Sequence, residues 1–196
     1  MTKGVRVHVE AERATEQLTR CLRQLLIRNE LVIVCIGTDR STGDSLGPMV
    51  GTMLTQKGTN LPVYGTLAQP VHALNLNQTM KHIDNHHLDA TVIAIDACLG
   101  NVRSIGDITL KKGPVKPGAG VNKKLIEIGD YNLLGMVNEV SLMPYSTLQN
   151  TRLHTVWSMA SLMTEAILQA EQLGFIHHYS ATSAEKKAGL LRLFQR

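Results

Sequence analysis

Leu31-Val32-Ile33-Val34-Cys35-Ile36-Gly37 is the stretch that decides the fold. Six consecutive apolar residues, rich in β-branched side chains, stop at a glycine. The run is too short for a typical helix and lacks the polar alternation of a half-exposed strand. It therefore fits a strand covered on both faces, the kind found in parallel sheets. Thr91-Val92-Ile93-Ala94-Ile95-Asp96 has the same character and ends on an acid.

Helical spacing surrounds these runs. Leu18, Leu22, Leu25 and Leu26, with Cys21 beside them, predict an amphipathic helix over Ala11–Ile27. Leu46–Gln56 reads as a helix with Pro48 in its first turn. Pro62–Thr66 is expected as a second strand. Ala73–His87 is expected as a helix built on Leu74, Leu76, Met80 and Ile83. Ser104–Lys111 reads as a weaker strand near an edge, and Leu134–Leu142 as a further strand. Lys112–Asn122 holds two prolines and three glycines and reads as a loop. Thr147–Leu173 should be the longest helix, apolar through Leu153, Val156, Trp157, Ala160, Met163 and Ile167. Such alternation predicts one α/β domain over residues 1–196, with a mostly parallel, mixed sheet between helices on both faces. Phe175–Arg196 is expected to be a peripheral tail.

Composition narrows the function. Apolar residues make up 43% and charged residues 18% of the 196 residues, an ordinary globular balance. The net charge is +4, but aromatics are only 4% and do not interleave the lysines, so nucleic-acid binding is disfavoured. Cys21, Cys35 and Cys98 show no paired spacing, which suggests free thiols in a reducing, cytoplasmic setting. No apolar run approaches membrane-spanning length, and the polar start has no leader-like apolar stretch.

In an open α/β sheet, ligands bind beyond the carboxyl ends of the strands. The first run opens into Gly37-Thr38-Asp39-Arg40-Ser41-Thr42-Gly43-Asp44-Ser45-Leu46-Gly47-Pro48, and the later run into Asp96-Ala97-Cys98. Asp44 and Asp96 thus emerge at one edge. A helix dipole is expected to hold Asp44 ionised, while burial is expected to keep Asp96 protonated. Acids with opposed tendencies can divide the base and acid roles of a hydrolysis, or hold a divalent cation. Each acid also has a bland role: Asp44 as a helix cap and Asp96 as a turn residue. Asp39 reads first as a turn residue. Arg40 either pairs locally with an acid or orients a substrate carbonyl. A phosphate-cradling loop is poorly supported, because no Lys follows Gly43 and the G-x-G-x-x-G spacing is absent. His72, His82, His86 and His87 form no H-E-x-x-H pattern. Cys98 reads as a buried structural thiol.

Residues Val34–Pro48, Ala94-Ile95-Asp96-Ala97 and Lys116-Pro117-Gly118-Ala119-Gly120-Val121 together resemble the sporulation protein family typified by YyaC. The resemblance covers roughly Leu31–Leu173. That family is similar in turn to the spore germination protease, an atypical aspartic peptidase, and to the hydrogenase maturation peptidases. The resemblance implies a phosphorylase/hydrolase-like three-layer α/β/α sandwich. It places catalytic aspartates on Asp44 and Asp96. The protease's glycine loop falls on Pro117–Val121; Gly118 and Gly120 there, with Thr38, Asp39 and Arg40 of the first loop, are the expected substrate-binding residues. No histidine stands in Pro117–Asn122, where a maturation peptidase would place its third metal ligand, so the expectation is an aspartate pair without a resident metal.

The reading that follows is a sporulation-associated endopeptidase acting on a protein or peptide, in the forespore or spore interior. The alternatives are a non-catalytic sporulation or interaction protein on the same fold and, as a minor one, a divalent-metal-assisted hydrolase at Asp44 and Asp96. The apolar length of the closing helix also fits a homodimer.

Overall fold

A computed structural model describes residues 4–26, 30–117 and 126–193, with side chains through residue 174. It is a three-layer α/β/α sandwich. The elements, in chain order, are β1 (Val5–His8), α1 (Ala14–Leu26), β2 (Leu31–Cys35), the 3-10 turn Gly43–Ser45, α2 (Leu46–Gln56), β3 (Val63–Tyr64) and α3 (Leu76–His86). They continue with β4 (Thr91–Gly100), the 3-10 turn Val102–Ser104, β5 (Asp107–Lys112), β6 (Tyr131–Glu139), α4 (Pro144–Gln149) and α5 (Leu153–Leu193). The sheet order is β1-β5-β6-β4-β2-β3. Strands β2, β3, β4 and β6 pair in parallel, and β5 is antiparallel to both β6 and β1.

The two apolar runs are neighbours. β2 pairs with β4 from Leu31↔Thr91 to Cys35↔Ile95. Alternate residues serve opposite faces, as the strand pleat demands. Leu31, Ile33, Cys35, Ile93 and Ile95 pack with α1, α2 and α5, through residues such as Leu18, Leu54 and Met163. Val32, Val34, Ile36, Val92 and Ala94 form the second core with Leu76 and Ile83 of α3 and with Val115 and Ile128. A strand buried on both faces has no place for polar alternation, and none is present.

Several boundaries depart from expectation. β4 runs on to Gly100, so Asp96 lies inside the strand and not at its end. The extension follows from β6, which pairs along β4 through Gly100, with a register shift between Cys98 and Leu99. β1 is an additional strand; it closes the antiparallel edge, and Arg6 Nε donates to Asp107 Oδ2 at 2.9 Å. The long helix is two, because Asn150–Arg152 interrupt it. The helical backbone continues past Gly174 to Leu193. Leu74 lies outside α3 and is 92% exposed, and Trp157 is 54% exposed.

One buried acid ties the long helix to the sheet edge. Glu171 accepts from Thr59 Oγ1 at 2.7 Å, from Asn60 N at 2.8 Å and from Asn60 Nδ2 at 3.0 Å. Thr59 and Asn60 lead into β3. Glu171→Ala leaves these donors without their partner in a buried setting and is expected to cost roughly 2–4 kcal/mol. The check is a urea midpoint that falls while the slope stays unchanged.

Candidate active site

The site forms where β2 ends. Gly37 has φ +139°, a backbone conformation that L side chains rarely adopt. A Cβ there would overlap the carbonyl oxygen of Asp44 and stand 3.1 Å from Pro48 Cδ. The loop therefore folds back so that Asp44 lies on the end of β2. Thr38 N donates to the Asp44 carbonyl at 3.2 Å and fixes that return. Gly47 brings the first turn of α2 equally close, since a Cβ there would overlap the Ile36 carbonyl. Ile36 N in turn donates to Ile95 O at 2.8 Å, directly before Asp96. Asp44 and Asp96 are thus delivered to one place by two neighbouring strands.

Asp96 points to the face that carries Val92 and Ala94 and is only 7% exposed. Its Oδ1 accepts from Ala97 N at 2.8 Å. Burial pushes its carboxyl well above the ordinary carboxylate range, and the charge of Asp44 pushes it further; the Ala97 N–H opposes both. Burial raises Asp44 as well, opposed by the Thr38 N–H and by His72. The expected opposition of the two acids is therefore corrected. Both are raised, Asp96 more strongly. Burial is the largest influence on Asp44, which lies within the 3-10 turn Gly43–Ser45 two residues before α2 begins. Nor does Asp44 cap that helix: Ser45 holds the N-cap position, without a side-chain bond.

His72 is the group that sequence reasoning missed. Val71 bridges Ile36 in parallel, and Gly37 N donates to Val71 O at 2.9 Å. This sets His72 beside the loop, ahead of α3 and not on it. Its ring is held by Leu74 N, which donates to Nδ1 at 3.3 Å. Only the non-local Ile36–Val71 bridge reveals the placement.

Other expected groups fall elsewhere. Asp39 and Arg40 are exposed in a turn that Thr38 braces: its hydroxyl donates to Asp39 Oδ1 at 3.4 Å and accepts from Arg40 N at 3.3 Å. Gly118 and Gly120 lie outside the described residues. Cys98 is half-buried, and desolvation together with Asp96 pushes its thiol up to about 11, which makes it a poor nucleophile. Among the described residues, no group of three or more His, Cys, Asp and Glu is placed to hold a metal ion. No helix among them is long and apolar enough to cross a membrane.

The raised carboxyls make stability depend on pH with a definite sign. The folded state holds these protons more tightly than the unfolded chain does. The stabilisation is complete below the ordinary aspartate pKa, about 4, and is lost as pH rises through the folded values. Melting temperature should therefore contain a component that falls with rising pH above about 4 and is much reduced in Asp96→Asn. Equal slopes in the two proteins would contradict this assignment.

Comparison with known proteins agrees with the resemblance drawn from the loop. The family model described as "Protein of unknown function (DUF1256)" matches residues 6–166, a span that includes Asp44, His72 and Asp96. A curated relative, the uncharacterized protein YyaC of Bacillus subtilis (strain 168), is 52% identical over 138 residues, covering 70% of this chain and 67% of the relative.

Proposed function

We propose, for a chain that belongs to the DUF1256 family, that Asp44 and Asp96 act as an acid–base pair that hydrolyses peptide bonds of a protein substrate. The observation that carries the reading is the convergence of two carboxyls from adjacent parallel strands, Asp96 buried within β4 and Asp44 folded back on the end of β2, close enough for Asp44 to act on Asp96. Two such groups resist double ionisation and titrate as a pair. Asp96, the more strongly raised, keeps the proton. Asp44, supported by the Thr38 N–H and by His72, takes the ionised role.

The chemistry then follows. Asp44 accepts a proton from a water as its oxygen attacks the carbonyl carbon. Asp96 gives its proton to the carbonyl oxygen. As the tetrahedral intermediate collapses, Asp44 passes the proton taken from water to the departing nitrogen and Asp96 recovers a proton from the hydroxyl. General acid–base assistance of this kind contributes about 10²–10⁴-fold. The pH profile should be bell-shaped and reach above the usual carboxylate range, because the alkaline limb reports loss of the Asp96 proton. By resemblance, the setting is sporulation, inside the forespore or spore.

The test compares wild type, Asp44→Asn and Asp96→Asn on unfolded casein and on small basic proteins. Wild-type rates in either variant would sink the assignment. One observation favours a second, non-catalytic reading: the Thr38–Asp44 contacts brace the loop. On that reading Asp44→Asn lowers the melting temperature and no preparation cleaves. Metal content of the purified protein, measured with and without Asp44→Asn, addresses cation-assisted hydrolysis.

A further inference from the structure

β3 is the last strand of the sheet, and among the described residues no strand pairs with its outer side. Its inner side is occupied by β2, through Ile33↔Val63 and Val34↔Tyr64, and Ile33 N donates to Pro62 O at 2.9 Å. Backbone groups alternate sides along a strand. With Pro62 turned inward, Val63 presents both its N–H and its C=O outward, as edge strands do. Beside this edge runs an open groove of about 570 Å³. It is bounded by Val63, Tyr64 and Gly65 on the sheet, by Asn75 and Thr79 of the α3 region, and by His72.

Two properties of the groove specify its occupant. The first is charge: among the described residues, no Asp, Glu, Lys or Arg lines it. A phosphate or carboxylate ligand would need a cation there, whereas the neutral backbone of an extended peptide would not. The second is continuity. The Ile36–Val71 bridge docks the His72 end of the groove onto the loop that presents Asp44.

We propose that an extended segment of the protein substrate adds as a strand to the open edge of β3, lies along the groove against α3, and is led past His72 to Asp44 and Asp96. The inference rests on the reading of those acids as a hydrolytic pair. It adds how the substrate is held: by its main chain, with little regard for side-chain charge. Strand addition to an exposed sheet edge is an established mode of peptide recognition. A volume of this size is in the usual range for ligand sites, about 300–1,000 Å³. The short edge limits the bonding to a few residues. An unfolded segment is therefore the expected substrate form, since a folded protein keeps its main-chain groups paired.

The test is made in the full-length Asp96→Asn protein, which binds without cleaving. Fluorescein-labelled, reduced casein is titrated and its anisotropy followed. Val63→Pro removes the outward N–H and leaves the inward Pro62 bond in place. Thr79→Trp fills the groove from α3. Each should weaken binding about tenfold or more, the effect of losing one or two main-chain hydrogen bonds or the space they need. Unchanged affinity in folded Thr79→Trp overturns the proposal, and so does failure of the parent to bind casein. If Val63→Pro melts early, Thr79→Trp decides alone. The two readings fail separately. Hydrolysis that needs Asp96 but ignores the groove variants removes the groove. Groove-dependent binding without hydrolysis by wild type removes the acid pair.

Discussion

Asp96→Asn is expected to abolish hydrolysis while melting above the wild type at neutral pH. The two effects have one cause. Asp96 is 7% exposed, faces an apolar core and feels the charge of Asp44. Ionising it there costs stability, and the fold lowers that cost by retaining the proton. Asparagine has the shape of the protonated acid and keeps an oxygen for the Ala97 N–H, but it carries no titrating charge. The melting temperature should rise by about 2–4 °C for each 1 kcal/mol recovered in a chain of this size, with a larger gain at higher pH. Hydrolysis should fall about 10²–10⁴-fold, the contribution of a positioned acid or base. A stability gain coupled to lost activity marks a group kept for chemistry. Asp96→Asn that is both less stable and equally active would reverse the interpretation. A protein in which Asp96 merely braces the strand should lose stability in this variant.

The sequence exposes some of this arrangement better than the rest. The runs ending at Gly37 and Asp96 are readable as strands of a parallel sheet, because complete burial on two faces leaves a continuous apolar signal; that they are neighbours is not. The helices α1 and α3 are readable because Leu18, Leu22, Leu76 and Ile83 recur at helical spacing and are buried. β1 is not, since Val5 and Val7 alternate with Arg6 and His8 in a segment too short to stand out from its polar flanks. The break before α5 is also hidden, because apolar residues continue on both sides of Asn150–Arg152. At the site, the position of Asp44 next to a helix start suggests an ionised acid. Desolvation of Asp96 is legible from the buried run that holds it; desolvation of Asp44 is not, and it prevails there too. His72 is invisible for a different reason: it reaches the site through a bridge between Ile36 and Val71, which are far apart in the chain.

Gly37→Ala should be the most damaging single methyl added to the loop. Two separate costs meet at Gly37, and other glycines of the chain allow them to be measured apart. Gly58 has φ +73° with nothing within 4 Å of the place a Cβ would take, so Gly58→Ala reports backbone strain alone, about 1–2 kcal/mol. Gly47 lacks the positive φ, but its Cβ would overlap the Ile36 carbonyl and lie 2.7 Å from Ile36 N, so Gly47→Ala reports steric overlap alone. Gly37 combines φ +139° with overlap on the Asp44 carbonyl. Neither neighbour is the yielding end of a side chain; both belong to backbone that Thr38 N and Ile95 O hold in place. Gly37→Ala is thus expected to lose at least about 3 kcal/mol, or roughly 6–12 °C in melting temperature. The displacement falls on Asp44, so the variant should also lose much of the coupling between the acids: the Asp96 titration moves down toward the value set by its own burial. Carboxyl titration of the folded variant by NMR reads that shift directly. A Gly37→Ala protein within about 1 kcal/mol of the wild type would mean that the loop does not press Asp44 against β2, and the geometry of the acid pair would have to be abandoned with it.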